Sequence, residues 1–242
     1  MIKTKTIIAS SVILTLLVCV IENFAAGNNI IQQQNHVPVV KIIAPVNDKS
    51  FKPGSQVHYE ISVSDKEDGE SKFDEIDAKQ VLLEVKFVSD ASKLNTLSIT
   101  KEQDVPGLTA IKTSNCFNCH AFNNKLTGPS FNEINKKYKP TAANIALLEK
   151  RIKEGSVGVW GKTAMPTHPE LSDVQIKDMV QWIMQNASAN DVQYYIGLEG
   201  NFTLPSTNKT GGYIITASYT DHGVNNTGER LEGRDAVIIK LN

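Results

Sequence analysis

The feature that most constrains the fold of this 242-residue chain is that its hydrophobic periodicity changes twice along the sequence. Apolar and polar residues alternate in residues 37–106, helical spacing replaces the alternation in 107–187, and alternation returns in 188–242. Period-two alternation is typical of half-buried antiparallel strands, whereas spacings of three and four are typical of amphipathic helices. The sequence therefore predicts an α+β chain in which helices separate two β segments.

Each β segment contains a few short apolar runs bounded by turn-forming residues. The predicted strands are residues 39–43, 57–63, 81–87, 202–204, 213–219 and 236–241. Pieces of two or three strands are poor independent folds, and together the two segments approach the strand count of a small sandwich. We therefore predict a β-sandwich interrupted by an all-α domain. Two separate β units flanking the helices are the alternative.

The helical segment contains clear signals for the ends of its helices. Thr141 is a candidate N-cap, and Gly155 occupies the position of a left-handed C-terminal cap. Ser172 and Gln175 form a capping box before the last helix. The predicted buried face of that helix consists of Val174, Met179, Trp182 and Ile183.

The N-terminus has the pattern of an export signal. Two lysines precede an apolar run at residues 7–21, and small residues follow it. The run is short for a membrane-spanning helix, so we predict a signal peptide at 1–26 that is cleaved after Ala26. An uncleaved anchor is one alternative. A lipoprotein attached through Cys19 is another, although Val18 is bulkier than the residue usual before such a cysteine.

Once the signal is removed, the two remaining cysteines lie directly before a histidine, in Cys116-Phe-Asn-Cys119-His120. This Cys-x-x-Cys-His pattern is the attachment signature of c-type haem: two thiols reach one edge of the macrocycle, and the imidazole lies beneath the iron. A thiol-exchange site would require a βαβ context, and a zinc site would require further ligands. The sequence therefore predicts one covalently attached haem c.

The sixth iron ligand must come from elsewhere, and Met165 is the first candidate. Pro166 keeps Met165 out of a helix, and Met/His ligation raises the reduction potential of haem iron. Three glycines would let this loop approach a flat macrocycle: Gly155, Gly158 and Gly161. His168 is the rival ligand, three residues further on. Met179 and Met184 fall on the last predicted helix, where core packing explains them.

Several spaced stretches carry a family resemblance: Cys116-Phe-Asn-Cys-His120, Lys125-Leu-Thr-Gly-Pro-Ser130, Arg151-Ile-Lys-Glu-Gly155, Gly158-Val-Trp-Gly161 and Ala164-Met-Pro166. With these stretches in this order, residues 107–187 resemble the small bacterial class I cytochromes c. The resemblance implies that the Pro129 carbonyl accepts a hydrogen bond from His120. It also implies that Arg151 and Trp160 hydrogen-bond a haem propionate. His168 stands where many of these proteins have an asparagine.

The flanks resemble the haem-bearing tails of large bacterial sugar dehydrogenases, in which a PKD-like β domain precedes the cytochrome. That resemblance rests on Met165-Pro-Thr-His-Pro-Glu-Leu-Ser172, Gly197-Leu-Glu-Gly200 and Gly212-Tyr-Ile-Ile-Thr-Ala-Ser-Tyr219, with residues 39–63 similar to the β domain. The predicted organisation is a signal peptide (1–26), a PKD/Ig-like segment (37–106), a cytochrome c domain (107–187) and a β segment completing the sandwich (188–242).

The charge is divided along the same boundaries. The formal net charge of −1 argues against nucleic acid as a partner. Residues 107–187 carry a net +4, whereas the segments before and after them carry −4 and −2. A basic helical segment can steer encounter with an acidic partner. Lys136, Lys137 and Lys139 could dock such a partner, or could equally form an exposed helix end.

An acidic loop contains Asp65, Glu67, Asp68 and Glu70. Oxygen-rich loops can bind calcium, but the spacing matches no known calcium loop. We therefore predict a solvated turn.

These features predict an exported electron carrier, not an enzyme. We expect it to accept electrons from a periplasmic dehydrogenase and to pass them to an oxidase or another cytochrome, with membrane contact only through the N-terminal segment. A peroxidase-like enzyme is an alternative, in which Met165 dissociates and His168 acts as a distal base. A third hypothesis is a binding module in which the haem is a sensor.

Overall fold

The computed structural model describes residues 34–99, 103–187, 189–226 and 228–242. The strands are β1 (Val39–Ala44), β2 (Lys49–Phe51), β3 (Gln56–Asp65), β4 (Gly69–Glu70), β5 (Leu82–Val88), β6 (Val192–Ile196), β7 (Glu199–Thr203), β8 (Gly212–Thr220) and β9 (Glu232–Leu241). The α-helices are α1 (Leu94–Ser98), α2 (Pro106–Thr113), α3 (Phe131–Lys137), α4 (Ala142–Glu154) and α5 (Asp173–Asn186). The predicted signal at 1–26, with Cys19, lies outside the described residues.

The strands form two sheets that share one apolar core. In the first sheet β3 pairs antiparallel with β1, β4 and β7. The second sheet has the order β2-β9-β8-β5-β6, in which only the β2–β9 pair is parallel. Strands from both sides of the helical segment therefore hydrogen-bond to each other in both sheets.

The alternation in the sequence becomes the inner and outer faces of these sheets. In β3 the residues Val57, Tyr59, Ile61 and Val63 are buried, and the residues between them are exposed. They pack against side chains of the second sheet such as Ile215 and Ile239. β8 is buried along almost its whole length because its outer face is covered as well, in part by Leu94 of α1.

Three strands were not predicted from the sequence: β2, β4 and β6, of which β6 is the longest. β6 reads Val-Gln-Tyr-Tyr-Ile, and all of its residues are half-buried. The strand pairs with β5 in a five-residue register and forms an edge of the second sheet. Both of its faces contact protein, so its sequence lacks the polar alternation of a strand with one face in water.

The helix signals are confirmed in part. Ser172 and Gln175 form the predicted capping box at the start of α5, and the Thr141 side chain accepts a hydrogen bond from the backbone of Asn144. The placement of Val174 on the buried face was wrong, since this first-turn side chain is 69% exposed. Gly155 has the expected positive φ of 80°, but its ψ of 173° is not that of a left-handed cap. The chain therefore turns away from α4 in an extended conformation.

A buried ion cluster joins α2 to the second sheet. The Lys112 ammonium group lies 2.7 Å from the Asp104 carboxylate, 2.8 Å from the Ser218 hydroxyl and 3.3 Å from the Glu232 carboxylate. Arg234 pairs with both acids, at 3.0 and 3.1 Å. The Lys112 side chain is only 1% exposed, so this cluster fixes the helices against β8 and β9.

The helices and the second sheet also share apolar contacts. One cluster contains Phe122, Phe131 and Trp182 from the helical segment together with Leu82 of β5, and Tyr194 and Ile196 of β6 pack against it. Among the residues that the structure describes, no helix combines the length and apolar character needed to cross a bilayer.

The prediction of a solvated acidic turn was wrong. Asp65 is 8% exposed and accepts hydrogen bonds from the backbones of Glu67 and Asp68. Asp68 in turn accepts hydrogen bonds from the Tyr219 hydroxyl and the His222 backbone. These contacts tie the loop to β8. Across the four described ranges, no group of three or more His, Cys, Asp or Glu side chains is arranged to hold a metal ion.

Candidate functional site

The two cysteines lie on a single tight turn. Residues Cys116–Asn118 form a 3₁₀ turn, and the Cys116 carbonyl accepts hydrogen bonds from the backbone N–H groups of Cys119, at 3.1 Å, and His120, at 2.9 Å. The two sulfurs are not joined in a disulfide. Burial raises the pKa of the Cys116 thiol to about 12, so this position favours a neutral sulfur. The turn thus presents two thiols and an imidazole within five residues.

The His120 ring is held on two sides. Its Nδ1 lies 2.6 Å from the Pro129 carbonyl oxygen, which can only accept, so Nδ1 carries the proton and Nε2 carries the lone pair. The Phe131 ring stacks on the imidazole with centroids 5.5 Å apart and an interplanar angle of 18°. Burial lowers the pKa of His120, which favours the neutral imidazole that a metal ligand requires.

Gly128 explains how the chain passes so close to this ring. A Cβ atom built on Gly128 would lie 2.6 Å from His120 Cε1, which is closer than any real side chain approaches. Only glycine therefore allows the Pro129 carbonyl to reach Nδ1 along this path.

Met165 lies on the loop that follows α4. Its backbone pairs with Ser156 in both directions, with N···O distances of 2.7 and 3.1 Å, so the two ends of the loop are tied together. Gly155 lies next to Ser156, where the two ends of the loop meet, and a Cβ atom on it would lie 2.8 Å from the Met165 carbonyl oxygen. The sequence singled out this glycine for its conformational freedom, and its positive φ agrees.

All of the predicted site residues line one cavity of about 310 Å³. They are Cys116, Cys119, His120, Pro129, Arg151, Trp160 and Met165. Apolar side chains form much of the remaining wall, including Ile111, Leu148, Ile152 and Val180. Two thiols, an imidazole with an available Nε2 and a thioether on an apolar wall suit a covalently bound haem, so the residues present fit this cofactor.

Arg151 and Trp160 bring N–H donors to the cavity wall. Arg151 donates a hydrogen bond to the Tyr138 hydroxyl, and the Lys137 ammonium group lies 4.5 Å from the centre of the Trp160 ring. Neither Tyr138 nor Lys137 was predicted from the sequence to belong to the site. Lys137 is the last residue of α3 and Tyr138 follows it, and neither residue belongs to a recognisable motif.

The rival ligand, His168, also lines the cavity. Its Nδ1 lies 2.9 Å from a carboxylate oxygen of Glu170, and its side chain is 18% exposed. The structure thus places both candidate sixth ligands, Met165 and His168, at the same cavity.

Sequence reasoning missed the aromatic residues behind His120. Phe131 begins α3 next to the Ser130 cap, and Phe122 follows the cysteine turn by three residues. Their spacing along the chain shows no pattern that would separate them from ordinary core residues. Only the fold brings them to the imidazole.

Comparison with known proteins agrees with this geometry. The sequence model of the family described as cytochrome c matches residues 105–187. Over 73 residues the chain is 40% identical to cytochrome c-551 of Azotobacter vinelandii, which covers 30% of this chain and 88% of that protein. Over 72 residues it is 44% identical to cytochrome c2 of Rubrivivax gelatinosus, covering 29% of this chain and 85% of that protein.

A solved structure, wild-type cytochrome c552 of Nitrosomonas europaea, is 35% identical, with a TM-score of 0.31; the match covers 32% of this chain and 96% of that one. Proteins of the matched family carry covalently bound haem c, and Cys116 and Cys119 occupy the attachment positions of the motif. The cofactor of this chain is therefore haem c, and the chain belongs to the cytochrome c family.

Proposed function

We propose that this protein is an exported mono-haem electron carrier in which His120 and Met165 would ligate the haem iron. The observation that carries the proposal is that both side chains line the same apolar cavity as the two attachment cysteines. Bound there, haem c supplies a one-electron iron centre. The protein's own residues attach it, ligate it and exclude water from it.

Each axial ligand has support from its surroundings. His120 offers Nε2 because its Nδ1–H donates to Pro129, a partner that fixes both the tautomer and the ring orientation. Met165 is held at the end of a loop closed by Ser156. Thioether ligation opposite a histidine favours a relatively high reduction potential.

Arg151 and Trp160 are proposed to hydrogen-bond a haem propionate. Both line the cavity, and Lys137 adds a second positive charge beside Trp160. Arg151 would exchange or share its hydrogen bond with the Tyr138 hydroxyl. Cationic and N–H donors suit a carboxylate that enters a partly buried site.

His120 and Met165 would both ligate the iron and leave no position for a substrate, which is why we propose a carrier and not an enzyme. A periplasmic dehydrogenase is the proposed electron donor, and an oxidase or another cytochrome is the proposed acceptor. The net +4 charge of residues 107–187 favours partners with acidic docking surfaces.

The flanking parts complete the proposal. Residues 37–106 and 188–242 are proposed to form one Ig-like, PKD-like sandwich around the cytochrome c domain at 107–187. The pairing of β3 with β7, and of β5 with β6 and β8, supports this assignment. Residues 1–26 are proposed to direct export to the periplasm.

The experiment that tests the ligand assignment is near-infrared spectroscopy of the oxidised, haem-loaded protein. Sulfur ligation gives a weak charge-transfer band, which we expect in the parent protein and expect to disappear in Met165→Ala. His168→Gln is the matched control, because His168 lines the same cavity; it should retain the band and only shift the potential.

Two results would contradict the proposal. One is a parent protein without the band whose iron reacts quickly with peroxide, which would favour the peroxidase-like enzyme. The other is mass spectrometry of the exported protein that finds no added porphyrin on the peptide containing Cys116 and Cys119.

A further inference from the structure

Strand β6 presents two neighbouring tyrosines to different cores. The Tyr194 side chain packs against the helical cluster, whereas the Tyr195 side chain packs inside the sandwich, 6.2 Å from Tyr59 and 5.9 Å from Phe202 between ring centroids. Successive side chains of a strand point to opposite faces, so one strand contributes an aromatic ring to each core.

From Tyr194 a continuous series of ring contacts leads to the proposed iron ligand. Tyr194 stacks on Phe122 with centroids 4.9 Å apart and an interplanar angle of 28°. Phe122 meets Phe131 edge-on at 5.6 Å, and Phe131 stacks on His120 at 5.5 Å. Both phenylalanines are at most 3% exposed, so the series is packed on all sides.

The backbone reinforces the same series. The carbonyls of Ala121 and Phe122 accept hydrogen bonds from the N–H groups of Phe131 and Asn132, at 2.9 and 3.0 Å. The segment after the cysteine turn and the start of α3 are therefore fixed to each other. Phe122 and Phe131 are thus held next to each other by the backbone as well as by the contact between their rings.

Tyr194 is in turn fixed by the sandwich. It is the register partner of Glu84 in the β5–β6 pair, and the Trp182 ring packs on it edge-on at 5.5 Å. Burial and the neighbouring Glu84 carboxylate raise the pKa of the Tyr194 hydroxyl, so the side chain remains neutral. The ring is held at one end by a sheet and at the other by the helical core.

We propose that Tyr194 is a positioning residue for the haem: through Phe122 and Phe131, it sets the orientation of the His120 ring at the ring face, whereas Pro129 holds the ring at Nδ1. The inference rests on the proposed role of His120 as an axial ligand. It assigns the sandwich a part in tuning the iron, because the residues that orient a metal-bound histidine influence its basicity and the reduction potential.

The test uses three variants of the full-length, haem-loaded protein. Tyr194→Leu removes the ring that touches Phe122, and Tyr194→Phe keeps the ring while removing the hydroxyl. Tyr195→Leu is the matched control, since it makes the same change on the other face of the same strand. The readouts are the hyperfine-shifted proton NMR signals of the axial histidine and the reduced-to-oxidised ratio at the midpoint potential of the parent.

We expect Tyr194→Leu to move the histidine signals and to change that ratio by about threefold or more, which is less than the roughly 10–100-fold cost of losing a direct partner of a metal-bound histidine, because Tyr194 acts through two other rings. Tyr194→Phe should match the parent. Tyr195→Leu should lower the urea midpoint of unfolding but leave the histidine signals and the ratio unchanged.

The inference is overturned if Tyr194→Leu leaves the histidine signals and the ratio unchanged, or if Tyr195→Leu alters them to the same extent. It is also overturned if Tyr194→Phe behaves as Tyr194→Leu does, because the hydroxyl and not the ring would then matter. A parent protein without histidine ligation would overturn the proposed function as well, so the parent spectrum separates the two failures.

Discussion

The sandwich and the helical region build their cores in different ways. Every buried residue of the sandwich core lies before α1 or after α5, so the two sheets fill their interior without help from the helices. The helical core includes Leu82 and packs against Tyr194 and Ile196, all three of which belong to sandwich strands. The 13-residue helix α4 contributes no fully buried side chain at all.

This difference follows from what each region encloses. The inward face of α4 borders the haem cavity, where Leu148 and Ile152 form part of the wall and also pack against Val180 and Met184 of α5. The core of the sandwich consists of side chains from its own strands and the turns between them, and it needs no cofactor to complete it. The sandwich should therefore fold by itself, whereas the helices should depend on both the haem and the sandwich.

The largest effect that we predict comes from removing the haem attachment. With both cysteines replaced, as Cys116→Ala and Cys119→Ala, most of the helical circular dichroism should be lost while the β signal remains. A cofactor that binds only the folded state contributes its binding energy to folding, and no side chain of α4 is fully buried by the protein alone.

Amide hydrogen exchange distinguishes the two regions in the same variant. Amides of β3 and β8 should remain protected, and those of α4 and α5 should exchange rapidly. Loss of protection in both regions would show that they unfold as one unit. The sandwich would then not fold by itself.

The second prediction concerns the contact between the helical region and the second sheet, which we call the joint. It includes the buried ion cluster of Lys112, Asp104 and Glu232. Lys112→Met should lower the free energy of unfolding by about 3–5 kcal/mol, because Asp104 and Glu232 would share a buried site with one cation fewer. Urea denaturation of the haem-loaded protein gives this value. Lys240→Met is the control: its pair with Asp48 is half exposed, so the change should be under about 1 kcal/mol.

A loss as small for Lys112→Met as for Lys240→Met would mean that the ion cluster does not hold the two regions together. The shared apolar contacts around Tyr194 and Leu82 would then be sufficient for the joint.

Local sequence patterns predicted the parts of this fold that depend on local rules. The alternation of Val57, Tyr59, Ile61 and Val63 gave the inward face of β3, because one side of that strand is in water. Ser172 and Gln175 gave the start of α5, because a cap involves only neighbouring residues. The cysteine pair and its histidine likewise lie within five residues, so the haem attachment site could be predicted without knowledge of the fold.

What escaped prediction depends on contacts distant in the sequence. β6 shows no alternation because both of its faces contact protein. Lys112 resembles an ordinary exposed helix lysine until Ser218 and Glu232, more than 100 residues away, are brought to it. The acidic residues around Asp68 led to the prediction of a solvated turn, because Tyr219, which donates a hydrogen bond to Asp68, lies on a strand distant in the sequence.

The third prediction compares the two capped helices. Ser172→Ala should lower the stability of the haem-loaded protein by about 1 kcal/mol, since the N-cap serves a helix with a buried face. Thr141→Ala removes the cap of α4, which has no fully buried residue, so its global cost should be smaller. Both values come from urea denaturation, and a larger cost for Thr141→Ala would show that α4 is more firmly integrated than its burial suggests.

The smallest effect that we predict is a dependence on pH at the joint. Burial, followed by the nearby Asp104 carboxylate, raises the pKa of Glu84 above its ordinary value of 4.5. An acid whose pKa is raised in the folded state opposes folding when it is ionised, and this cost disappears once the pH falls below the pKa of the unfolded chain. Glu84→Gln should therefore raise the urea midpoint at pH 7, and the gain should vanish near pH 4.

The control is Glu60→Gln, on the exposed outer face of β3, which should change the midpoint little at either pH. A gain for Glu84→Gln that is equal at both pH values would place its origin in packing and not in charge. A gain that grows towards pH 4 would reverse the sign of the proposed shift. The joint would then favour the ionised carboxylate, and Lys112 and Arg234, the cations of the cluster, would neutralise three acids instead of two.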